Sequence, residues 1–245
     1  MLAALVMLSL LQGSVYAANQ NIVIENQNDY DNYKNEDDNI VLEGGNNTIS
    51  ISGVNNDDDI IAGNTVSNKV TIAHSELCDI YGAYSDIKSA NNNIITIDGS
   101  MVESVYGAEV NQYNDEIDCY TPVSAENNYV FVKNNSTIDR EIYVARVWYG
   151  DASNNHLNIS DTKFIGLTGG PGGAIYAGAQ VAYGTVENNS VTITNCKAKG
   201  EFVGGVTFYG SAINNTVKIE NLIPMVEEDL AVSNESRVYV FPLIL

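Results

Sequence analysis

The chain has 245 residues, and its 31 Asp and Glu against 11 Lys and Arg give a formal net charge of -20. Such a chain repels nucleic-acid phosphates and anionic lipid head groups, which excludes nucleic acids and acidic membranes as partners. A hydrophobic content of 44% is enough to fill a core. The 32 Asn and 20 Gly against 4 Pro predict many short strands joined by Asn and Gly turns.

The first 17 residues have the composition of an export signal. Residues 1–17 form an uncharged run of mainly Leu, Ala, Val and Met, shorter than the roughly 20 residues of a membrane-spanning helix. Val15 and Ala17 occupy the positions that a signal peptidase inspects, which predicts cleavage before Ala18. The usual positive charge is missing, since Lys34 is the first basic residue. A buried N-terminal helix or strand is the alternative interpretation.

A phrase of paired Asn followed by alternating apolar residues recurs seven times between residues 41 and 221. Each copy reads N-N-x-φ-x-φ, where φ is apolar, and Ser67 replaces the first Asn in one copy. The second Asn of the seven copies is Asn47, Asn68, Asn93, Asn128, Asn155, Asn189 and Asn215. The steps between them are 21, 25, 35, 27, 34 and 26 residues. Residues 41–221 are therefore interpreted as a repeat domain.

A second alternating phrase lies between these copies, as in Ile60-Ile-Ala-Gly63 and Val105-Tyr-Gly-Ala108. Alternation with period two predicts two half-buried strands in each repeat and an all-β fold. One repeat cannot bury its apolar face alone, so we expect a β-solenoid of about seven rungs. Its inward column is predicted to be Ile51, Ile72, Ile97, Val132, Ile159, Ile193 and Ile219.

The paired Asn residues have a physical role in such a stack. Side-chain amides at the same corner of every rung can hydrogen-bond to those above and below, and Asn tolerates left-handed backbone angles. An Asn-rich β-sandwich is the alternative fold. Residues 18–40 are predicted to form a polar, acidic cap, and residues 222–245 a C-terminal tail or cap. Residues 98–126 and 160–187 are expected to supply side loops.

Cysteine spacing gives no sign of a cofactor. Cys78, Cys119 and Cys196 are far apart and form no C-x-x-C pair, so we predict no metal site and no cofactor. They are interpreted as small core residues.

Three tyrosine-containing segments, each followed by an Asn-rich link, recur in the repeats: Asp79-Ile-Tyr-Gly-Ala-Tyr-Ser85, Ser104-Val-Tyr-Gly-Ala-Glu109 and Ala174-Ile-Tyr-Ala-Gly-Ala179. Together with the Asn-Asn phrases, they carry a resemblance to the passenger domains of bacterial autotransporters and related surface adhesins. It implies a right-handed parallel β-helix, secreted or exposed outside a Gram-negative outer membrane. Residues 222–245 are too short for the translocator barrel that follows such passengers. The resemblance therefore implies a truncated chain or a translocator supplied by another protein.

The densest aromatic cluster is the candidate ligand contact. Tyr143, Trp148 and Tyr149 lie within seven residues and are able to stack on sugar rings or to anchor a protein. Core filling at an enlarged rung is the alternative. The expected partner is a protein or polysaccharide of a host or neighbouring cell surface, contacted by a monomeric rod.

Catalysis is not expected, because no residue set fixes a reaction. The acidic runs Asp57-Asp58-Asp59 and Glu36-Asp37-Asp38 alternate between strand faces or lie in turns. Two alternatives to adhesion remain open: a polysaccharide-active lyase or hydrolase, which requires convergent carboxylates, and a structural spacer of a larger surface protein, which requires a uniformly polar exterior.

Overall fold

The computed structural model describes residues 19–110, 123–164, 175–198, 200–224, 230–233 and 237–238. These residues form an all-β structure whose strands pair in parallel with those of neighbouring repeats. The one helix among them is a single turn, α1 (Gln27–Tyr30), capped by the Asn26 side chain. The predicted export signal, residues 1–17, lies outside the described residues.

The strands have the following bounds in chain order. The first eight are β1 (Asn21–Ile24), β2 (Ile40–Val41), β3 (Thr48–Ser52), β4 (Ile60–Ile61), β5 (Lys69–Ala73), β6 (Glu76–Tyr81), β7 (Tyr84–Ser85) and β8 (Ile94–Asp98). The next eight are β9 (Met101–Val110), β10 (Val123–Glu126), β11 (Tyr129–Lys133), β12 (Thr137–Ile138), β13 (Ile142–Ser153), β14 (His156–Ser160), β15 (Lys163–Phe164) and β16 (Ile175–Ala177). The last seven are β17 (Gln180–Glu187), β18 (Ser190–Ala198), β19 (Gly200–Val203), β20 (Val206–Ile213), β21 (Thr216–Pro224), β22 (Leu230–Ser233) and β23 (Arg237–Val238).

The seven Asn phrases form one stack of parallel strands in the predicted register. Ile51 pairs with Ile72, Ile72 with Ile97, and so on through the series β3, β5, β8, β11, β14, β18 and β21. The predicted inward column is confirmed, since its first six members are at most 2% exposed and Ile219 is partly buried against them. Strand β1 pairs with β3 and adds an eighth member, so the expected cap at residues 18–40 contains a regular strand.

The second phrase forms a second parallel stack. Its buried column consists of Ile40, Ile60, Ile80, Val105, Ile142, Tyr176 and Phe202. This column and the first one belong to a single hydrophobic cluster. Burial of such large apolar side chains contributes about 1.5–3 kcal/mol each.

A third strand series runs through much of the described part of the two ranges in which side loops are predicted. Most of the described part of residues 98–126 and 160–187 is strand, because β9, β10, β16 and β17 occupy it. The end of β13 pairs with β17, and β17 pairs with β20, along a face whose interior holds small residues such as Ala152, Val181 and Val186. The described parts of both ranges therefore contribute mainly to a third sheet face, whereas residues 111–122 and 165–174, on which the loop prediction also falls, lie outside the described residues.

The Asn ladder, defined as Asn47, Asn68, Asn93, Asn128, Asn155, Asn189 and Asn215, is buried at one corner. At Asn155, the side-chain Nδ2 donates to the Asn189 Oδ1 at 2.9 Å and to the Ala125 carbonyl oxygen at 2.9 Å. Its Oδ1 accepts from the backbone N and side-chain Nδ2 of Asn128 at 3.0 and 2.9 Å. The predicted amide column is confirmed. The Asn155 side chain also hydrogen-bonds to a backbone carbonyl and to a backbone N–H of the preceding repeat.

The residue before each ladder Asn has the left-handed backbone that the phrase predicted. The φ angles are between 52° and 61° at Asn46, Ser67, Asn92, Asn127, Asn154, Asn188 and Asn214. Asn is the residue that adopts this region most readily after Gly. The two residues therefore have different roles: the first adopts the left-handed turn, and the side chain of the second hydrogen-bonds to neighbouring repeats.

A second polar corner follows the same strands and explains Cys196. Buried Ser75, Ser100, Ser136 and Thr162 stand at equivalent positions, and the Ser75 backbone N donates to the Ser100 Oγ at 3.1 Å. Cys196 continues this column, and its thiol donates to the Thr194 carbonyl oxygen at 3.2 Å, as the Thr162 hydroxyl does to that of Ser160. The prediction of a small core residue is confirmed for Cys196, with a hydrogen-bonding role added, whereas Cys78 is only partly buried. Cys119 lies outside the described residues.

We expect Asn155→Ala to destabilise the fold strongly. The change removes four ladder hydrogen bonds and leaves the Asn128 N–H and the Ala125 carbonyl buried without these partners. At about 1–3 kcal/mol for each unsatisfied buried group, the loss is roughly 3 kcal/mol or more. Urea unfolding followed by circular dichroism measures it. Asn158→Ala, on the outward face of β14 in the same rung, is the matched control and is expected to change stability by less than about 0.5 kcal/mol. Equal losses in the two variants would contradict a special role for the ladder.

Candidate functional site

The three aromatic residues predicted to contact a ligand all lie on β13, but the structure separates one of them. Tyr143 is only 3% exposed. Its ring stacks 6.2 Å from that of Tyr106, which stacks 4.7 Å from Tyr81, and the Arg146 guanidinium lies 5.4 Å from the Tyr143 ring centre. Tyr143 thus belongs to a packed tyrosine column, in agreement with the core-filling alternative for this residue.

Trp148 and Tyr149 lie at the protein surface. The Trp148 side chain is 49% exposed. Tyr149 stacks on Tyr183 with 4.6 Å between ring centroids, and Tyr183 stacks on Tyr209 at 4.7 Å, with interplanar angles of 5° and 10°. The ligand role of Trp148 and Tyr149 stays a prediction, now with two further tyrosines beside them.

A groove of about 430 Å³ adjoins this tyrosine stack, and we call it the aromatic groove. Trp148, Ala182, Phe208, Gln180, Tyr183 and Arg146 are among its lining residues. Tyr183 and Tyr209 are 39% and 38% exposed. An apolar concave surface with a few polar groups is the usual form of a small-ligand site.

The sequence holds a signal for the residues that the prediction missed. The triplets Trp148-Tyr149-Gly150, Ala182-Tyr183-Gly184 and Phe208-Tyr209-Gly210 are spaced by 34 and 26 residues, the same steps as Asn155 to Asn189 and Asn189 to Asn215. The repeated x-Tyr-Gly triplet therefore marks a shared column, independently of the local density of aromatic residues.

Glycine is required after each of these tyrosines because neighbouring backbones approach closely. Gly150 and Gly184 have φ angles of 133° and 144°. A Cβ atom on Gly184 would overlap the carbonyl oxygen of Gly150, and one on Gly210 would overlap that of Gly184. Side chains rarely adopt this backbone, so the position after each tyrosine is restricted to glycine.

Arg146 at the edge of the groove has its charge compensated. Its Nη1 lies 3.5 Å from the Glu109 carboxylate and 3.9 Å from that of Glu141, and Glu109 is buried. The guanidinium therefore forms ion pairs with two carboxylates of the protein, and its positive charge at the groove is compensated.

A second cluster of chemically active groups lies between β4 and β9. One ligand-type atom from each of Asp59, Cys78 and Asp79 lies within 4.8 Å of the others. The Cys78 thiol donates to the Glu103 carboxylate at 3.0 Å, and burial together with that hydrogen bond raises the pKa of the thiol well above its ordinary range. A thiol that keeps its proton is a poor nucleophile and a poor metal ligand.

Asp79 is held in an unfavourable environment for its charge. Burial raises the pKa of its carboxyl, and the charges of Asp59 and Glu103 add to this, while a hydrogen bond from Ser104 and the charge of Arg140 oppose it. The Asp79 Oδ1 is buried without a hydrogen-bond partner. One of the two oxygen atoms of this carboxylate is therefore shielded from solvent, although the residue as a whole is only partly buried.

His156 lies beside a hydroxyl group of the neighbouring repeat. The His156 Nδ1 lies 2.7 Å from the Ser190 Oγ, one rung away on the outward face, and Tyr129 packs 4.9 Å from the imidazole ring. Burial lowers the pKa of His156. Within the described residues no carboxylate is found in contact with this imidazole, so the orienting group of a catalytic triad is not provided there.

The chain matches no protein-family model, and neither a curated protein nor a solved structure was found to be similar to it. Among the described residues, no helix has the length and apolar character needed to cross a membrane.

We expect Asp79→Asn to increase stability at neutral pH. Because the folded protein holds the Asp79 proton more tightly than the unfolded chain does, ionisation of this carboxyl opposes folding as the pH rises above its ordinary pKa of 3.8. The variant should have the higher free energy of unfolding at pH 7, and its advantage should shrink as the pH falls below about 4. Urea unfolding at several pH values tests this. Asp86→Asn, at an exposed position, is the control. A less stable Asp79→Asn at pH 7 would show that the negative charge itself supports the fold.

Proposed function

We propose that the chain is an exported right-handed parallel β-helix, secreted or displayed on the cell surface, that acts by adhesion and without catalysis. The support for a solenoid is the register of three parallel strand series and of the Asn ladder between them. Hydrogen bonds that join every rung to the next favour a stiff body with long, regular side faces. Such a body suits contact with an extended partner.

The observation that carries the adhesion proposal is the exposed aromatic surface on a strongly acidic protein. Trp148, Tyr183 and Tyr209 are each more than a third exposed and lie around one groove. Exposed aromatic side chains of this density are typical of interaction sites, because they supply contact area with little loss of side-chain entropy. The proposed partner is a protein or polysaccharide on a host or neighbouring cell.

The proposed location is outside the outer membrane of a Gram-negative bacterium. It rests on the signal-like residues 1–17 and on the resemblance of the Val-Tyr-Gly and Asn-Asn phrases to autotransporter passengers. In this proposal the protein is a monomeric rod, and its outer-membrane translocator is part of a longer reading frame or of another protein.

The two alternatives have less support. A polysaccharide-cleaving enzyme needs two carboxylates that lie about 5–9.5 Å apart and both reach the substrate. In the acidic cluster that contains Asp59 and Asp79, one oxygen atom of Asp79 is buried. A spacer needs a uniformly polar exterior, whereas the exterior of this protein includes the aromatic groove.

The proposal predicts an envelope or medium location and a mature N-terminus at Ala18. Fractionation of the producing cells with antibody detection, followed by intact-mass measurement, tests both. Leu8→Arg combined with Leu10→Arg places two charges in the apolar run and is the matched control, expected to retain the chain in the cytoplasm.

A binding assay completes this test. The purified protein should bind intact producing cells or host cells in a saturable manner. A wild-type chain that stays in the cytoplasm with Met1 in place would overturn the export and surface roles. Export without any saturable binding to cells would favour the spacer alternative.

A further inference from the structure

We propose that the aromatic groove binds a neutral hexopyranose unit of a polysaccharide, held in a slot between Trp148 and Phe208. This inference rests on the proposed function, since it names the chemistry that the adhesive surface recognises. The slot follows from a single small residue in an otherwise aromatic column.

The register defines the slot. Val147 pairs with Val181 and Tyr149 with Tyr183, so Trp148 and Ala182 occupy the same column on successive rungs. Thr207 and Tyr209 pair with Val181 and Tyr183, which places Phe208 one rung further on. The column therefore runs from Trp to Ala to Phe, and all three residues line the groove.

The height of the slot suits a sugar ring. Neighbouring parallel strands lie about 4.8 Å apart, so Trp148 and Phe208 are attached roughly 9.6 Å apart along the stack. Ala182 lies between them and, being only 6% exposed, forms the floor of the slot. A flat aromatic ring between two such walls would be loosely packed, because stacked rings prefer closer spacing. A pyranose chair is thicker, since its axial hydrogen atoms project from both faces, and those C–H groups are the ones that pack on aromatic rings.

Polar groups beside the slot match the hydroxyl groups of a sugar. The Gln180 carboxamide and the Tyr183 hydroxyl both lie at the groove, and within the described residues neither is found in a side-chain hydrogen bond. An amide offers both donors and an acceptor, and a phenol offers one of each. Adjacent hydroxyl groups of a sugar both donate and accept hydrogen bonds, so they need donors and acceptors side by side.

Charge selects a neutral sugar over an acidic one. The protein has a net charge of -20, and Arg146, the cation at the groove, is already shared by Glu109 and Glu141. A uronic acid or phosphorylated glycan would meet repulsion without a spare cation to offset it.

Trp148 is the only tryptophan of the chain, so its fluorescence reports directly on the slot. The probes are maltohexaose, cellohexaose, laminarihexaose and β-1,4-mannohexaose, with hexagalacturonate as the acidic counterpart, added to the purified secreted chain. We expect a saturable change in Trp148 emission with at least one neutral probe, and at least ten-fold weaker binding of hexagalacturonate. No saturable change with any neutral probe would overturn the proposal.

Ala182→Phe fills the slot and leaves the reporter in place. It should weaken binding of the responding probe at least ten-fold, while circular dichroism and the melting temperature show an intact fold. Gln180→Ala, at a partly exposed position, tests the same site without added bulk and should weaken binding several-fold. Phe131→Ala removes an exposed aromatic residue from β11 and is the matched control, expected to bind like the wild type. Unchanged binding by Ala182→Phe and Gln180→Ala would overturn the assignment.

Other occupants of the groove would give different results. A Trp148 emission that is already that of a buried indole and does not respond to sugar would mean that another part of the chain fills the slot. An emission that shifts with protein concentration alone would mean that a second copy does. Both results overturn the sugar site. If Ala182→Phe still binds cells while no sugar binds, the sugar proposal fails and the adhesive function stands; loss of export or of all cell binding is instead a failure of the proposed function.

Discussion

The structure depends on the hydrogen-bonding demand of a buried carboxamide. An Asn side chain removed from water loses free energy unless its donors and acceptor find partners, and at this corner the partners are the next ladder Asn and a backbone carbonyl across the turn, as at Asn155. A shift of one residue in any strand would break both contacts and turn the apolar face outward. The ladder therefore sets the register that the apolar columns, which contribute most of the burial, must follow.

A fixed register has consequences far from the ladder. Every outward position is aligned with its equivalents, so tyrosines that are 34 and 26 residues apart in sequence become a stack with 4.6 and 4.7 Å between ring centroids. Stacked in this way, Tyr149 and Tyr183 shield each other's faces, and their edges and hydroxyl groups are what remains for solvent. An open ring face is expected only where the column is interrupted, as at Ala182 above Trp148.

Much of this arrangement could be predicted from the sequence, because alternation and paired Asn residues are local signals. They located the first strand series and its inward column from Ile51 to Ile219. The third series was missed because β17 and β20 carry Gly184 and Gly210 within the strand, and glycine is usually a sign of a turn. The separation of Tyr143 from Trp148 was missed because closeness in sequence does not show which face of a strand a side chain takes. That choice depends on pairing with Tyr106, in a different repeat.

Specificity in a repetitive structure arises where the repetition fails. A surface column of one residue type, such as the stack of Tyr149, Tyr183 and Tyr209, presents the same chemistry in every repeat, and a partner bound by it would slide from one repeat to the next at little cost. The Trp-Ala-Phe column is different on each rung, and it is flanked by Gln180 on one side and by the tyrosine stack on the other. A ligand seated over Ala182 therefore has one position along the stack of strands. The adjacent ion pairs compensate the charge of Arg146, so that position needs no charge from the ligand. The acidic exterior then discriminates against negatively charged competitors before contact is made, so shape and charge both favour a neutral sugar over an acidic one.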